Sequence, residues 1–388
     1  MGKKICVVTG TRAEYHLLTP LLNAIQEDEE LELLLVVTGA HLSERYGNTC
    51  RAIEQDGFDI CARIPILSET DDAGAINSAM SRAITGISEV LGRLHPDMMV
   101  LLGDRYELLA AAIAAMNHRV PIAHLHGGET TEGAIDECIR HAITKMSYLH
   151  FTSCEPYRKR VIQLGESPDR VFNVGAIGLE NIRRRKRISL SELEKSLDWE
   201  SNGKFAVVTF HPVTLEEDTA GQQFEQLLQA LERCEGLGII FTKANADSGG
   251  MAINRLIDDY VLTHRNRAVA VFSLGMERYL AALEYASVII GNSSSGIIET
   301  PSFKVPTVNI GDRQKGRIQA KNVINCEPEK NAIYDAIVRA VSTEFRESVK
   351  DTVNPYGDGE VAEKIVRQIK HALCGGRLDL KKAFYDLP

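Results

Sequence analysis

Two histidines, two glutamates and an aspartate crowd the stretch Ala123 to Asp136, "AHLHGGETTEGAID", around a Gly-Gly turn. The helical pattern that follows adds Glu137, Arg140 and His141. The spacing does not match His-Glu-x-x-His, and His124-x-His126 alone is a weak metal pattern. Titratable groups packed this closely push one another's pKa values apart, which acid–base catalysis requires. The expectation is therefore an acid–base cluster with no metal.

Four other polar clusters follow apolar runs. Thr9-Gly10-Thr11-Arg12-Ala13-Glu14 closes the first run, and Arg12 there either holds an anion or sits exposed beside a helix cap. Leu102-Gly103-Asp104-Arg105-Tyr106-Glu107 follows "MMVLL". Asp104 caps the next helix or serves as an acid–base group beside Arg105, whose planar fork suits phosphate. His211 follows an apolar run in "VVTFHPVT", and Pro212 prevents further sheet pairing. Lastly, "GNSSSGIIETPSFKVPTVNIGDRQKGR", Gly291 to Arg317, turns abruptly polar after Ile290. Its small residues let backbone approach a ligand, and the N–H groups of "SSSG" open a helix whose dipole favours an anion. Glu299 suits ribose hydroxyls, and Arg313, Lys315 and Arg317 offer charge; the alternative is a serine-rich surface turn. Neither Gly-x-Gly-x-x-Gly nor Gly-Lys-Ser/Thr occurs at these junctions, which argues against a dinucleotide enzyme and against an ATPase.

The elements that must position these residues alternate in type. Strands are expected at Lys4–Thr9, Leu31–Thr38, Met98–Leu102, Pro121–Leu125, Leu149–Thr152 and Val171–Val174, separated by amphipathic stretches. From Lys204 the pattern restarts, with strands at Phe205–Phe210, Leu237–Thr242, Ala268–Phe272, Val288–Ile290, Thr307–Ile310 and Val323–Asn325. Helical patterns there include Gly296–Pro301 and Val361–Leu373. Nearly continuous apolar runs mean strands covered on both faces, hence parallel sheets in doubly wound α/β domains. The segment Leu179 to Gly203 reads as a linker, giving domains at 1–178 and 179–371. A chain of 388 residues favours two domains in any case.

A net charge of −9 argues against nucleic acid or an anionic membrane as partner. The basic run Arg183 to Arg187 reads as a solvated face. No apolar run reaches the roughly 18 to 20 residues that span a bilayer. Eight scattered cysteines without Cys-x-x-Cys fit a reducing compartment, so a cytoplasmic protein is expected.

"TGTRAEY", "LLGDRYE", "HLHGGE…DECIRHAITKMSYLHF", "FHPVT" and "GNSSSGIIETPS…VNIGDRQKGR" occur in this order over nearly the whole chain, through the "FYDLP" tail. Together they closely resemble the hydrolysing UDP-N-acetylglucosamine 2-epimerases, in the branch tied to sialic and legionaminic acid formation. That branch includes relatives acting on UDP-2,4-diacetamido-2,4,6-trideoxyglucose. The resemblance implies two Rossmann-like domains facing a central cleft (the GT-B arrangement), with the C-terminal helix returning to the first domain and the tail 372–388 joined to it. It implies no cofactor, a UDP-sugar partner, and a homodimer or homotetramer. The implied reaction is anti elimination of UDP to a 2-acetamidoglucal, then syn addition of water, which delivers N-acetylmannosamine.

Carried over by position, the resemblance places Asp104 and Asp136 among the catalytic carboxylates. It gathers Arg12, Arg105, His211, Ser293, Ser294, Glu299 and Arg313 around UDP, with Asn245 near the sugar and phosphates. This sequence departs at one point: the family pattern His-Ile-Glu-Gly-Gly has its glutamate where His126 stands. Either His126 or Glu129 takes over that proton transfer. One extra residue in "ETTEGAID" also reshapes the loop before Asp136. A GT-B glycosyltransferase, a non-hydrolysing epimerase and a nucleotide-sugar sensor without turnover are the competing readings.

Overall fold

The computed structural model describes residues 2–70, 72–132, 135–201, 203–212, 219–244, 250–272, 274–374 and 378–388. The chain divides into two α/β units.

In the first unit the apolar runs form seven parallel strands: β1 (Lys3–Thr9), β2 (Leu31–Thr38), β3 (Ile60–Ile64), β4 (Met98–Leu102), β5 (Ile122–Leu125), β6 (Leu149–Thr152) and β7 (Val171–Asn173). Their order is β3-β2-β1-β4-β5-β6-β7, a doubly wound sheet. Alternate residues feed two apolar layers, Ile5 and Val7 on one face and Cys6 and Val8 on the other. Because β1 pairs with β4, the loops after these two strands lie side by side where the strand order reverses. Such a switch point is where open α/β sheets bind ligands. The edge strand β3, "ICARI", was not anticipated. With one sheet neighbour it needs no continuous apolar run, and only Ile64 is fully buried. The first helix starts at Arg12 rather than at the first apolar repeat, because Thr11 caps it by accepting the Glu14 N–H.

The second unit repeats the plan with β8 (Phe205–Thr209), β9 (Gly238–Thr242), β10 (Ala268–Val271), β11 (Val288–Gly291), β12 (Thr307–Ile310) and β13 (Val323–Cys326). These are also parallel, in the order β10-β9-β8-β11-β12-β13. Here β8 and β11 are the adjacent pair at the switch point. The expected linker holds two helices, Gly178–Arg184 and Leu190–Leu197, the latter opened by a Ser189/Glu192 capping box.

The helix Ala362–Cys374, assigned by its position to the second domain, packs in the first. That unit comprises Met1–Glu129, Ile135–Asn181 and Tyr356–Pro388, so the chain returns at Tyr356 rather than at 372. The cause is the stripe Ile365, Ile369 and Leu373, which buries against Leu18, Leu21 and Ile25 of the first helix. Buried Glu180 accepts the N–H groups of Val361 (3.0 Å) and Ala362 (2.7 Å), satisfying the start of that helix.

The last residues are latched to the same unit. Buried Glu166 takes Lys382 Nζ at 2.6 Å, Lys145 Nζ at 2.6 Å and His150 Nε2 at 3.0 Å. Burial opposes its ionisation, yet the bonds from His150, Lys145 and Lys382 outweigh that and hold the carboxyl down at about 2. A carboxyl depressed on folding stabilises fully above its unfolded pKa and loses that contribution as pH falls through the folded value. The unfolded protein should therefore gain on the folded one between about pH 4.3 and about pH 2. Thermal unfolding followed across this window should show a Glu166→Gln variant that is less stable than wild type at neutral pH and shallower in its acid dependence. Equal slopes would remove Glu166 from the acid response.

Among the described residues, no helix is long and apolar enough to cross a membrane, and all eight cysteines are unbridged.

Candidate active site

Asp104 leaves β4 directly and does not cap the next helix; Arg105 takes the N-cap position there, without a side-chain capping bond. The Asp104 carboxylate instead accepts from Arg140, with Nε at 2.9 Å from Oδ2 and Nη2 on the same oxygen. The Arg140 side chain is only 1% exposed, and its Nη1 also donates to the Glu129 carbonyl at 2.8 Å and to Glu137. Arg140 and Asp136 stand one turn apart on the helix Asp136–Met146, and so on one face. The Asp136 carboxyl is pushed up by burial and then by the charge of Asp104, against the pull of Arg105 and Arg140. The two expected catalytic carboxyls are thus electrostatically coupled around one buried guanidinium. Arg140 carries this arrangement and was missed as a site residue.

His124 belongs to the scaffold. It is buried, donates from Nε2 to the Gly103 carbonyl at 2.8 Å, and meets Thr144 Oγ1 at 3.2 Å. Burial holds it at about 3, so it is neutral and fixes the turn that carries Asp104. The two candidates for the missing glutamate touch each other, with His126 Nδ1 at 3.1 Å from Glu129 Oε1.

Arg105 donates from Nε to buried Glu107 at 2.6 Å. The Gly10 N–H donates to Glu14 Oε2 at 3.0 Å, while a Cβ on Gly10 would lie 2.4 Å from Glu107 Oε1. Gly10 therefore lets two acids close in on one loop. Burial, then the charge of Glu107, lifts Glu14 to about 8, so Glu14 is neutral at physiological pH and Glu107 balances Arg105. Both acids lie inside the quoted motifs, but first-turn acids read as ordinary solvated dipole partners. Arg12 donates from Nε to His16 at 3.2 Å.

In the second unit Gly291 has φ +133°, and a Cβ there would sit 1.8 Å from the Thr209 carbonyl oxygen. Only glycine permits that approach of β11 to β8. The next residue, buried Asn292, accepts the His211 N–H at 2.7 Å and donates to the His211 carbonyl at 2.8 Å. Its own carbonyl accepts Arg313 Nη1 at 3.1 Å and Gln314 Nε2 at 2.9 Å. One residue thus holds both, its side-chain amide the backbone of His211 and its main-chain carbonyl Arg313, a role its small-polar surroundings concealed. Burial, then the Arg313 charge, lowers His211 to about 3, leaving a neutral imidazole.

The expected helix Gly296–Pro301 is instead two single turns, Ser295–Ile298 and Thr300–Phe303. A full macrodipole is therefore absent, and what remains for an anion is the local N–H groups at Ser293 and Ser294. Ser293 Oγ accepts the Ser295 N–H at 3.4 Å, and Ser294 stands at the N-cap. Glu299 accepts from Ser295 Oγ, which accepts from Tyr279 Oη at 2.7 Å. Burial raises the Glu299 carboxyl, and the Ser295 bond counters in part. Asn245 lies outside the described residues. Among those described, no group of three or more histidines, cysteines or acids is placed to hold a metal ion.

The sequence profile described as UDP-N-acetylglucosamine 2-epimerase matches residues 23–370. A Campylobacter jejuni protein described as GDP/UDP-N,N'-diacetylbacillosamine 2-epimerase (hydrolyzing) is 42% identical over 99% of both chains. The Escherichia coli polysialic acid biosynthesis protein P7 is also 42% identical, over 100% of this chain and 98% of its own. In three dimensions, a putative UDP-N-acetylglucosamine 2-epimerase from Listeria monocytogenes superposes with a TM-score of 0.82 over 100% of both chains. At 18% identity that likeness speaks for the fold alone.

Proposed function

Since the chain belongs to the UDP-N-acetylglucosamine 2-epimerase family, we propose that it is a hydrolysing 2-epimerase, which releases UDP and a free 2-acetamido sugar inverted at C2. The observation that carries this reading is the pair Asp104 and Asp136 coupled around buried Arg140. Inversion at C2 through a glycal needs proton removal from one face and proton return on the other, hence two acid–base groups. The C2 proton is weakly acidic, so the leaving group must depart as the carboxylate takes it. Asp104 is assigned to that removal, being a carboxylate that accepts from Arg140 and is held in place by it. Asp136, which keeps a proton to higher pH than an ordinary aspartate, is the matching acid.

Loss of UDP builds negative charge on the diphosphate, and fixed donors there lower the barrier. Arg12, Arg105 and Arg313 are assigned to that charge, with the backbone N–H groups at Ser293 and Ser294. Glu299, oriented by Ser295, takes the ribose hydroxyls, and neutral His211 adds a hydrogen-bonding partner without a charge. Asn245 is assigned to the sugar and phosphates by position alone. Domain boundaries near Asn181 and Tyr356, assembly as a homodimer or homotetramer, and a cytoplasmic place in sialic- or legionaminic-type sugar synthesis belong to the same proposal.

UDP-N-acetylglucosamine is the first substrate, yielding N-acetylmannosamine. A second reading, UDP-2,4-diacetamido-2,4,6-trideoxyglucose, is favoured by the Campylobacter relative. Incubation with each sugar, followed by NMR of the products, tests both. Free sugar and UDP in equimolar amounts are expected from one of them. An intact epimerised UDP-sugar, transfer to an added acceptor, or tight UDP binding without turnover of either sugar would each overturn hydrolysis.

A further inference from the structure

We propose that Tyr279 is a positioning residue for the nucleotide: through Ser295 its hydroxyl sets the Glu299 carboxyl for the ribose, and the chain thereby prefers a ribonucleoside diphosphate to its 2'-deoxy counterpart. The inference rests on the reading above in which Glu299 takes the ribose hydroxyls, and it names what holds Glu299 ready.

The donors run one way. Tyr279 Oη donates to Ser295 Oγ at 2.7 Å, and Ser295 Oγ donates to Glu299 Oε2. A serine hydroxyl has a single hydrogen. With that hydrogen on Glu299, the Ser295 oxygen is left to accept, and the phenol is the donor that meets it. Burial, then the charge of Glu299, pushes the Tyr279 phenol upward, so it keeps its hydrogen. Among the described residues Glu299 accepts at Oε2 alone, and Oε1 is not sealed from solvent, which leaves that oxygen for a ligand.

Both ends of this chain of bonds are anchored. Tyr279 stands on the helix Gly275–Tyr285, whose Leu280 and Leu283 share an apolar layer with Val207 of β8 and Ile289 of β11. The phenol is thus carried by an element seated on the two strands whose loops bear His211 and the serines. Glu299 stands between the two single turns, with its N–H on the Ser295 carbonyl at 2.9 Å. Thr300, next in sequence and buried, donates to the Gly296 carbonyl at 2.7 Å and accepts Asn322 Nδ2 at 3.0 Å. The backbone of Glu299 is therefore held on both sides, and its side-chain torsions are the freedom that remains.

The Ser295 bond removes that freedom before a ligand arrives. A serine hydroxyl has other acceptors within reach, its own backbone among them, and the bond from Tyr279 keeps this one turned to Glu299. Ordering a flexible side chain in advance lowers the cost of binding. Only a ligand that uses the carboxyl gains from it. A ribose offers two neighbouring hydroxyls, and a 2'-deoxyribose offers one.

The test is calorimetric titration of the full chain with UDP and with 2'-deoxy-UDP, in wild type, E299Q, Y279F, S295A and Y279F/S295A. Wild type should bind UDP roughly 10- to 100-fold more tightly than 2'-deoxy-UDP, the worth of a hydrogen bond to a charged group, and E299Q should lose most of that ratio. Equal affinities in wild type, or a ratio that survives E299Q, would remove Glu299 from the ribose and the inference with it. Once that ratio is seen, the reading stands and Tyr279 is tested alone. Y279F should cut the ratio several-fold by weakening UDP while leaving 2'-deoxy-UDP almost unchanged. S295A should cut it further, and adding Y279F to S295A should change it no more, because the phenol acts only through Ser295. An unchanged ratio in Y279F, or equal weakening of both nucleotides, would make the phenol merely structural and overturn the inference. A Y279F effect of the same size in the S295A background would overturn it as well. Thermal unfolding checks that the compared variants are folded.

Discussion

Asp104→Asn is expected to lower kcat for UDP release by roughly 10²- to 10⁴-fold, the usual worth of a positioned acid–base group. The amide is nearly isosteric and keeps an oxygen that can face Arg140, so the turn after Gly103 should survive. What disappears is the negative charge and the capacity to take a proton from C2. The Arg140 guanidinium keeps Glu137 and the Glu129 carbonyl as partners, so its charge is not left uncompensated. UDP affinity, measured by calorimetry, should stay within a few-fold, because the residues assigned to UDP do not include Asp104. The variant also removes one of the two causes that raise Asp136, burial remaining as the larger. Any residual activity should therefore follow a pH profile in which Asp136 loses its proton earlier. A near-normal rate would take Asp104 out of the mechanism.

Arg140→Met should be the most damaging single change to the fold around this site. It leaves Asp104 and Glu137 facing each other without the cation, in a place where the original side chain was 1% exposed. Because the two carboxylates left behind are each 27% exposed, the loss falls below the roughly 3–5 kcal/mol of a fully buried pair, and chemical denaturation would read it as a lower midpoint. Arg140→Lys keeps the charge but loses the planar fork that binds Asp104 through two N–H groups. It should recover part of the stability and little of the turnover. If the lysine variant were as active as wild type, the clamp on Asp104 would be a matter of charge alone and its geometry irrelevant.

The residues that carry these predictions differ in how readable they were. Asp104, His126, Glu129 and His211 stand at the ends of strands buried on both faces, and such strands announce themselves as unbroken apolar runs. Arg140 did not stand out, because an acid and an arginine four positions apart on a helix is what any solvated helix shows. Only the packing that buries its guanidinium against Asp104 distinguishes it. Asn292 was hidden for a related reason. Its task is to hold the backbone of His211 from a neighbouring strand, and pairing between strands distant in sequence has no local signature. The edge strand Ile60–Ile64 lacked a continuous run because one edge needs no neighbour. The helix Ala362–Cys374 showed its apolar stripe plainly, but a stripe does not say which surface will cover it. Likewise the two turns on either side of Glu299 were read as one helix ending at Pro301, whereas the break falls at Glu299 and Pro301 opens the second turn, where its missing N–H costs nothing.

The claim that joins these parts is that the C2–H bond breaks and is remade on the other face while UDP leaves. Turnover of the accepted UDP-sugar in D2O tests it directly, with the free sugar read by proton NMR and mass spectrometry. One solvent deuteron at C2 of an inverted, UDP-free sugar is the predicted result. A free sugar carrying its original hydrogen at C2 would contradict elimination and the assignment of Asp104 and Asp136 with it.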